Sequence, residues 1–262
     1  MVIEDVMTEL TASDGHKFSA YRADPVDSPK GAVVVLQEIF GVNPHIRKIT
    51  DSFAAQGYVA IAPALFDRVK TGVELGYDEN DFSTGMDLLK QVGAERPLGD
   101  IQATVESVRS AGKVAIVGYC WGGYLAYVSA NRVDGLACAI GYYGAGVEND
   151  YREKRRIPTL LHFGEKDSLI PFEDVIQFRA NRPDVSAFTY PAAGHGFNCD
   201  ERDSFNEPAA QKALEHTLFW ISQYVVGQPP ITLKNAGSYA QAKTDKKKAK
   251  KKEAADDLGP PP

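Results

Sequence analysis

Three residue types suited to nucleophilic acyl chemistry stand far apart in the chain: Cys120, Asp167 and His195. Cys120 lies in Gly118-Tyr119-Cys120-Trp121-Gly122-Gly123, directly after the apolar run Val114-Ala115-Ile116-Val117. This G-x-C-x-G spacing is that of a nucleophile elbow, with cysteine in the position serine usually takes. A strand that turns at once into a helix needs small neighbours, because a Cβ beside the strained residue would clash; Gly118 and Gly122 supply that room. The elbow lifts its side chain above the sheet, aims the Trp121 N–H at a developing oxyanion and sets a thiolate near a helix N-terminus. A tight βα turn around a buried structural cysteine has the same local sequence. The partners must decide between them.

A thiol nucleophile needs a base, and the base needs a third group to orient it. His16 falls in a turn, His45 in the first turn of a helix, His162 inside an apolar strand and His216 on the final helix, so each has a structural explanation. His195 differs, because Gly194 and Gly196 flank it in a loop between the last strand and the last helix, where a ring is presented rather than packed. Asp167 follows the carboxyl end of another strand and is preferred to Glu165, which lies closer to that strand. Nucleophile, acid and histidine then follow one another in the α/β-hydrolase order. The loop Gln37-Glu38-Ile39-Phe40-Gly41 should bring a second oxyanion donor, the backbone N–H of Ile39, beside that of Trp121. Glu38 is the unexpected member: a carboxylate there could accept the thiol's hydrogen bond, keep it protonated at rest, or act as its base.

The surrounding elements fit that placement. Val6-Met7-Thr8-Glu9-Leu10 and Lys17-Phe18-Ser19-Ala20-Tyr21, joined through Ser13-Asp14-Gly15-His16, read as an antiparallel hairpin. The run at 32–36 is continuously apolar, as in a strand buried on both faces of a parallel sheet, and 58–63, 114–117, 136–140 and 158–163 read as further strands of that sheet. Helical patterns alternate with them, opening at Asn43-Pro44, near Pro97, after Cys120, near Phe172 and near Glu207, the last running to Val225. The expected fold is α/β, a mostly parallel central sheet with helices on both faces and an N-terminal antiparallel hairpin. The acidic passage from Ala64 to Glu95 reads as the longest irregular segment, either an active-site rim or a solvated excursion.

Residues 1–226 are expected to form one domain, and 227–262 a disordered tail in which seven lysines stand against four acids from Tyr239 onward. With a net charge of −6 despite that basic tail, the body is acidic, which argues against nucleic acid as the ligand. No run is long and apolar enough to span a bilayer and the first residues lack a signal-peptide pattern, so a cytoplasmic location is expected. Three widely spaced cysteines suit neither a disulfide framework nor a zinc cluster.

Taken together, Gln37-Glu38-Ile39-Phe40-Gly41, the elbow at 118–123, Gly141-Tyr142-Tyr143-Gly144, Asp167 and Gly194-His195-Gly196-Phe197 resemble the dienelactone hydrolase (carboxymethylenebutenolidase) family. The resemblance spans about Thr8 to Tyr224. It implies a single-domain α/β-hydrolase fold, a Cys120, His195, Asp167 triad, and a Glu38 that holds the resting thiol and takes its proton when substrate displaces it. Phe40, Tyr142, Tyr143, Phe197 and Arg202 are the expected pocket residues. The resemblance is imperfect at the substrate end, since the family's namesake grips a carboxylate with arginines from the loop after the second parallel strand and from just past the histidine. Here 71–89 holds no Lys or Arg and the fourth residue after His195 is Cys199; Arg202 and Arg68 are the nearest substitutes. The expected activity is cysteine-dependent hydrolysis of a lactone or small ester through an acyl-enzyme, with no metal or organic cofactor, by a monomer or weak homo-oligomer. Alternatives are an unrelated small ester or thioester as substrate, or a non-catalytic ligand-binding protein on this fold.

Overall fold

The computed structural model describes residues 4–93 and 95–227. Eight strands form one sheet in the spatial order β1-β2-β4-β3-β5-β6-β7-β8. β1 (Glu4–Thr11) and β2 (Lys17–Asp24) are the expected hairpin, and β2 continues antiparallel onto β4 (Val59–Pro63). From β4 onward all neighbours run parallel: β3 (Ala32–Leu36), β5 (Val114–Tyr119), β6 (Leu136–Tyr142), β7 (Thr159–Gly164) and β8 (Ser186–Tyr190). Alternate residues of β3 feed two separate cores, Val33 and Val35 on one face and Val34 and Leu36 on the other, which is why the run is apolar without a break.

α1 (Pro44–Ala55) and α6 (Glu207–Ile221) add Ile46, Ile49 and Phe53, and Ala209, Ala213 and Ile221, to the first core. α2 (Glu79–Val92), α3 (Arg96–Val108) and α4 (Trp121–Arg132) close the second through Leu88 and Val92, Ile101 and Val105, and Leu125 and Ala126. α5 (Phe172–Asn181) precedes β8. Among the described residues no helix is long and apolar enough to cross a membrane. These residues belong to one compact unit ending at Gly227. The tail expected at 227–262 lies, beyond Gly227, outside the described residues.

The expected irregular passage at 64–95 needs correction. It contains a 3₁₀ turn at Leu65–Arg68 and the whole of α2, capped by the Asp78 carboxylate on the Asp81 N–H at 2.8 Å. The helical spacing of Phe82, Met86 and Leu89 was masked by the acidic residues on the exposed side. The segment is fastened to the loop after β3, where the Leu75 N–H donates to the Phe40 carbonyl at 2.8 Å and Gly85 packs on the Ile39 carbonyl. Arg68 is spent on Asp100 and Asp14, 2.7 Å from each, and is therefore unavailable to a ligand.

The elbow joins β5 to α4 with no intervening residue except Cys120. A Cβ on Gly118 would lie 1.9 Å from the Gly122 carbonyl oxygen, and one on Gly122 would lie 2.5 Å from the carbonyls of Leu36 and Gln37. These are backbone obstacles that no rotamer can evade. Gly122→Ala should therefore lower unfolding stability by about 2–4 kcal/mol, read as a shifted urea midpoint at unchanged slope.

Candidate active site

Each candidate catalytic residue sits just past the carboxyl end of a parallel strand: Glu38 and Ile39 after β3, Cys120 after β5, Asp167 after β7 and His195 after β8. Ligand sites of open α/β sheets form on this edge, where loops converge while the strands hold their roots fixed. Cys120 has φ 52° and ψ −117°, a conformation L-residues avoid, and its N–H donates to the Tyr142 carbonyl at 3.0 Å. Its sulfur is half-buried and stands 3.1 Å from His195 Nε2. His195 Nδ1 lies 2.9 Å from Asp167 Oδ2.

Asp167 is itself pinned, because its other oxygen accepts the N–H groups of Leu169 at 2.8 Å and Ile170 at 3.2 Å. Glu165, the rival acid, accepts the Thr189 hydroxyl instead. Burial pushes the His195 ring down, but the neighbouring Cys120 sulfur and the Asp167 carboxylate outweigh it and carry the ring up to about 10. Both neighbours favour the protonated form of the ring. His162, inside β7, is used structurally: its ring meets the Tyr190 and Thr217 hydroxyls at 2.8 and 3.1 Å, and burial drives it down to about 3.

A cavity of about 310 Å³ opens over Cys120 and His195. Ile39 and Trp121, the expected oxyanion-hole residues, both line it, as do Phe40 and Arg202. The remaining wall is apolar, with Phe82, Met86 and Leu89 of α2 facing Leu169 and Ala145. The sequence reading missed the α2 residues; their i, i+4, i+7 spacing was the signal that could have found them. Tyr142, Tyr143 and Phe197 are not pocket residues. All three are sealed in the core, Tyr142 bonded to Thr217 at 2.7 Å and Tyr143 edge-on to His195 at 5.2 Å between ring centres. The three rings pack on one another, and Tyr143 carries that cluster to the histidine.

Glu38 also departs from expectation. Neither of its carboxylate oxygens has a hydrogen-bond partner, and the Cys120 sulfur is bonded to His195 rather than to Glu38. The nearest charge is Arg202, whose Nη1 is 3.7 Å from Oε1. A buried carboxylate seeks the closest cation, and here that cation is Arg202, which lines the same cavity as Cys120 and His195. Close by, Glu38, His45 and Cys199 bring one donor atom each within 4.8 Å of one another.

The sequence profile of the dienelactone hydrolase family matches residues 18–225. The chain belongs to the dienelactone hydrolase family. It is 34% identical over 226 residues to the carboxymethylenebutenolidase of Pseudomonas putida, a match covering 81% of this chain and 94% of that protein. A crystal structure of a Klebsiella pneumoniae protein assigned to the dienelactone hydrolases superposes with a TM-score of 0.75 at 30% identity, covering 86% of this chain and all of that one. An esterase from Pyrococcus furiosus shares the fold at a TM-score of 0.62 and 15% identity. The α/β-hydrolase fold is thus common ground for this dienelactone hydrolase family member and more distant esterases.

The electrostatics of the pair can be tested directly. In Cys120→Ala the neighbour that raises His195 is gone while burial remains, so the ring's proton NMR titration should move to clearly lower pH than in the wild type. An unchanged midpoint would show that the sulfur does not hold the imidazolium.

Proposed function

We propose that the chain hydrolyses small carboxylic esters or lactones with an apolar arm, using Cys120 as nucleophile and passing through a thioester acyl-enzyme. The observation that carries this reading is the line of contacts from Asp167 through His195 to Cys120, at 2.9 and 3.1 Å, opening into a cavity. In this scheme the thiolate attacks the carbonyl carbon, and the N–H groups of Ile39 and Trp121 donate hydrogen bonds to the developing oxyanion. Collapse expels the alkoxide, which takes the His195 proton. Water then attacks the thioester as His195 withdraws its proton, and Cys120 leaves as the thiolate beside the reprotonated ring, which restores the starting pair. Asp167 keeps the ring in the tautomer and orientation both steps require.

The wall supplied by α2 supports an apolar arm on the substrate, since Phe82 and Leu169 stand exposed at the mouth and Met86 and Leu89 line the interior. Arg202 is the cation of this cavity, but Glu38 already faces it, so a neutral ester suffices as substrate.

Activity on aryl esters with an apolar acyl group should fall at least about a thousandfold in kcat for Cys120→Ala, whereas Cys199→Ala should retain it. Equal turnover by the Cys120→Ala protein would remove the enzyme reading from this site. Met86→Lys should raise KM for the same ester about tenfold at nearly constant kcat, because the lost contact is made equally in the ground and transition states.

A further inference from the structure

We propose that Glu38, His45 and Cys199 form a binding site for a zinc ion, separate from the Cys120–His195 pair. The three residues come from the loop after β3, the first turn of α1 and the loop that follows His195, and their donor atoms all lie within 4.8 Å of one another. Each side chain is shielded from solvent: Glu38 is 1% exposed, His45 2% and Cys199 0%.

Two features set this cluster apart from an ordinary buried polar group. Both carboxylate oxygens of Glu38 and both ring nitrogens of His45 lack a hydrogen-bond partner. Burying such groups unpaired costs roughly 1–3 kcal/mol each, and more for a charge, so a fold that keeps two of them face to face calls for a third party between them. Arg202 at 3.7 Å offsets the Glu38 charge in part but makes no hydrogen bond to it.

The outer groups are those a metal site uses. Asp200 Oδ1 lies 3.3 Å from His45 Nδ1, the place of the carboxylate that backs a ligating imidazole and leaves Nε2 to the metal. The Tyr77 hydroxyl and the Glu201 N–H both favour a thiolate at Cys199, and Tyr77 in turn accepts a hydrogen bond from Asn43 at 3.1 Å. Donors aimed at sulfur stabilise a bound thiolate.

One sulfur, one nitrogen and one oxygen donor select a borderline cation; calcium and magnesium require oxygen throughout. Carboxylate and thiolate together neutralise a 2+ ion. For zinc, bond lengths of about 2.0–2.3 Å place tetrahedral ligands roughly 3.3–3.8 Å apart, so the donors close in by about an ångström on binding. The fourth position goes to water. Coordination breaks the S–H bond, the proton leaves to solvent and no electron is transferred. Glu38 immediately precedes Ile39, so the ion ties the proposed oxyanion loop to α1 and to the His195 loop.

The test uses the full chain stripped with a chelator, then titrated with cobalt(II) chloride and afterwards with zinc chloride. A thiolate-to-cobalt charge-transfer band should saturate at one cobalt per chain, bleach when zinc is added, persist in Cys120→Ala and vanish in Cys199→Ser. Calorimetric zinc affinity should fall at least about tenfold in His45→Gln, a variant that keeps the sulfur in place. Circular dichroism and melting of the metal-free variants establish that they are folded. The proposal is overturned if the wild type shows no band, or if the band is lost in Cys120→Ala and kept in Cys199→Ser, which would put the metal on the Cys120–His195 pair. Neither result depends on ester turnover, so the acyl chemistry stands or falls separately.

Discussion

The whole arrangement rests on one backbone constraint, the passage from β5 to α4 through a single residue at positive φ. Holding an L-residue in such a conformation costs about 1–3 kcal/mol, and it persists only where the surroundings over-determine it. Here they do. β5 is buried along its entire length between β3 and β6, and the start of α4 is locked against the backbone of β3 and β6 by Gly122 and Gly123. The sulfur is consequently aimed by packing far from itself. Because the strain is carried by the scaffold, the side chain remains free to meet the histidine.

Around that fixed point the other groups are held by partners of their own. Asp167 uses one oxygen on backbone donors and the other on His195, so the imidazole has a single favoured setting. Gln37 holds the loop before Ile39 from both ends of its amide, accepting the Leu65 N–H at 3.0 Å and donating to the Glu38 carbonyl at 3.2 Å. Preorganisation of this kind matters because donors and bases act in a low-dielectric site only when they need not reorganise during the reaction. α2 serves differently, adding an apolar wall on one side of an otherwise polar constellation. It connects fold to specificity, since the helix that shapes the cavity is fastened to the loop carrying Ile39.

Glu38 marks the boundary between what the family likeness implies and what this chain does with it. In the resting arrangement implied by the likeness, the carboxylate attends the thiol. In this chain the thiol is engaged with His195, and Glu38 faces Arg202, His45 and Cys199. The cysteine four residues after the histidine stands beside that carboxylate together with His45, while Arg202 remains its nearest charge.

Much of the molecule was legible in the chain. Continuous apolar runs, Asn43-Pro44 at a helix start and the glycines of the elbow act over a few residues, so their consequences are local and readable; the hairpin, the parallel strands and α1 followed from them. Asp167 and His195 were readable because loop position after a strand is itself a local property. Three things were not. α2 was hidden because solvated acids diluted its apolar stripe, and Tyr142, Tyr143 and Phe197 were misplaced because sequence cannot say which side of a sheet edge an aromatic ring turns to. The meeting of Glu38, His45 and Cys199 joins positions up to 161 residues apart. Local sequence determined which groups stand at the ends of strands; only the stacking of eight strands and their crossings decided which of those groups share a cavity, because side-chain proximity across a sheet edge is set by strand order and not by spacing along the chain.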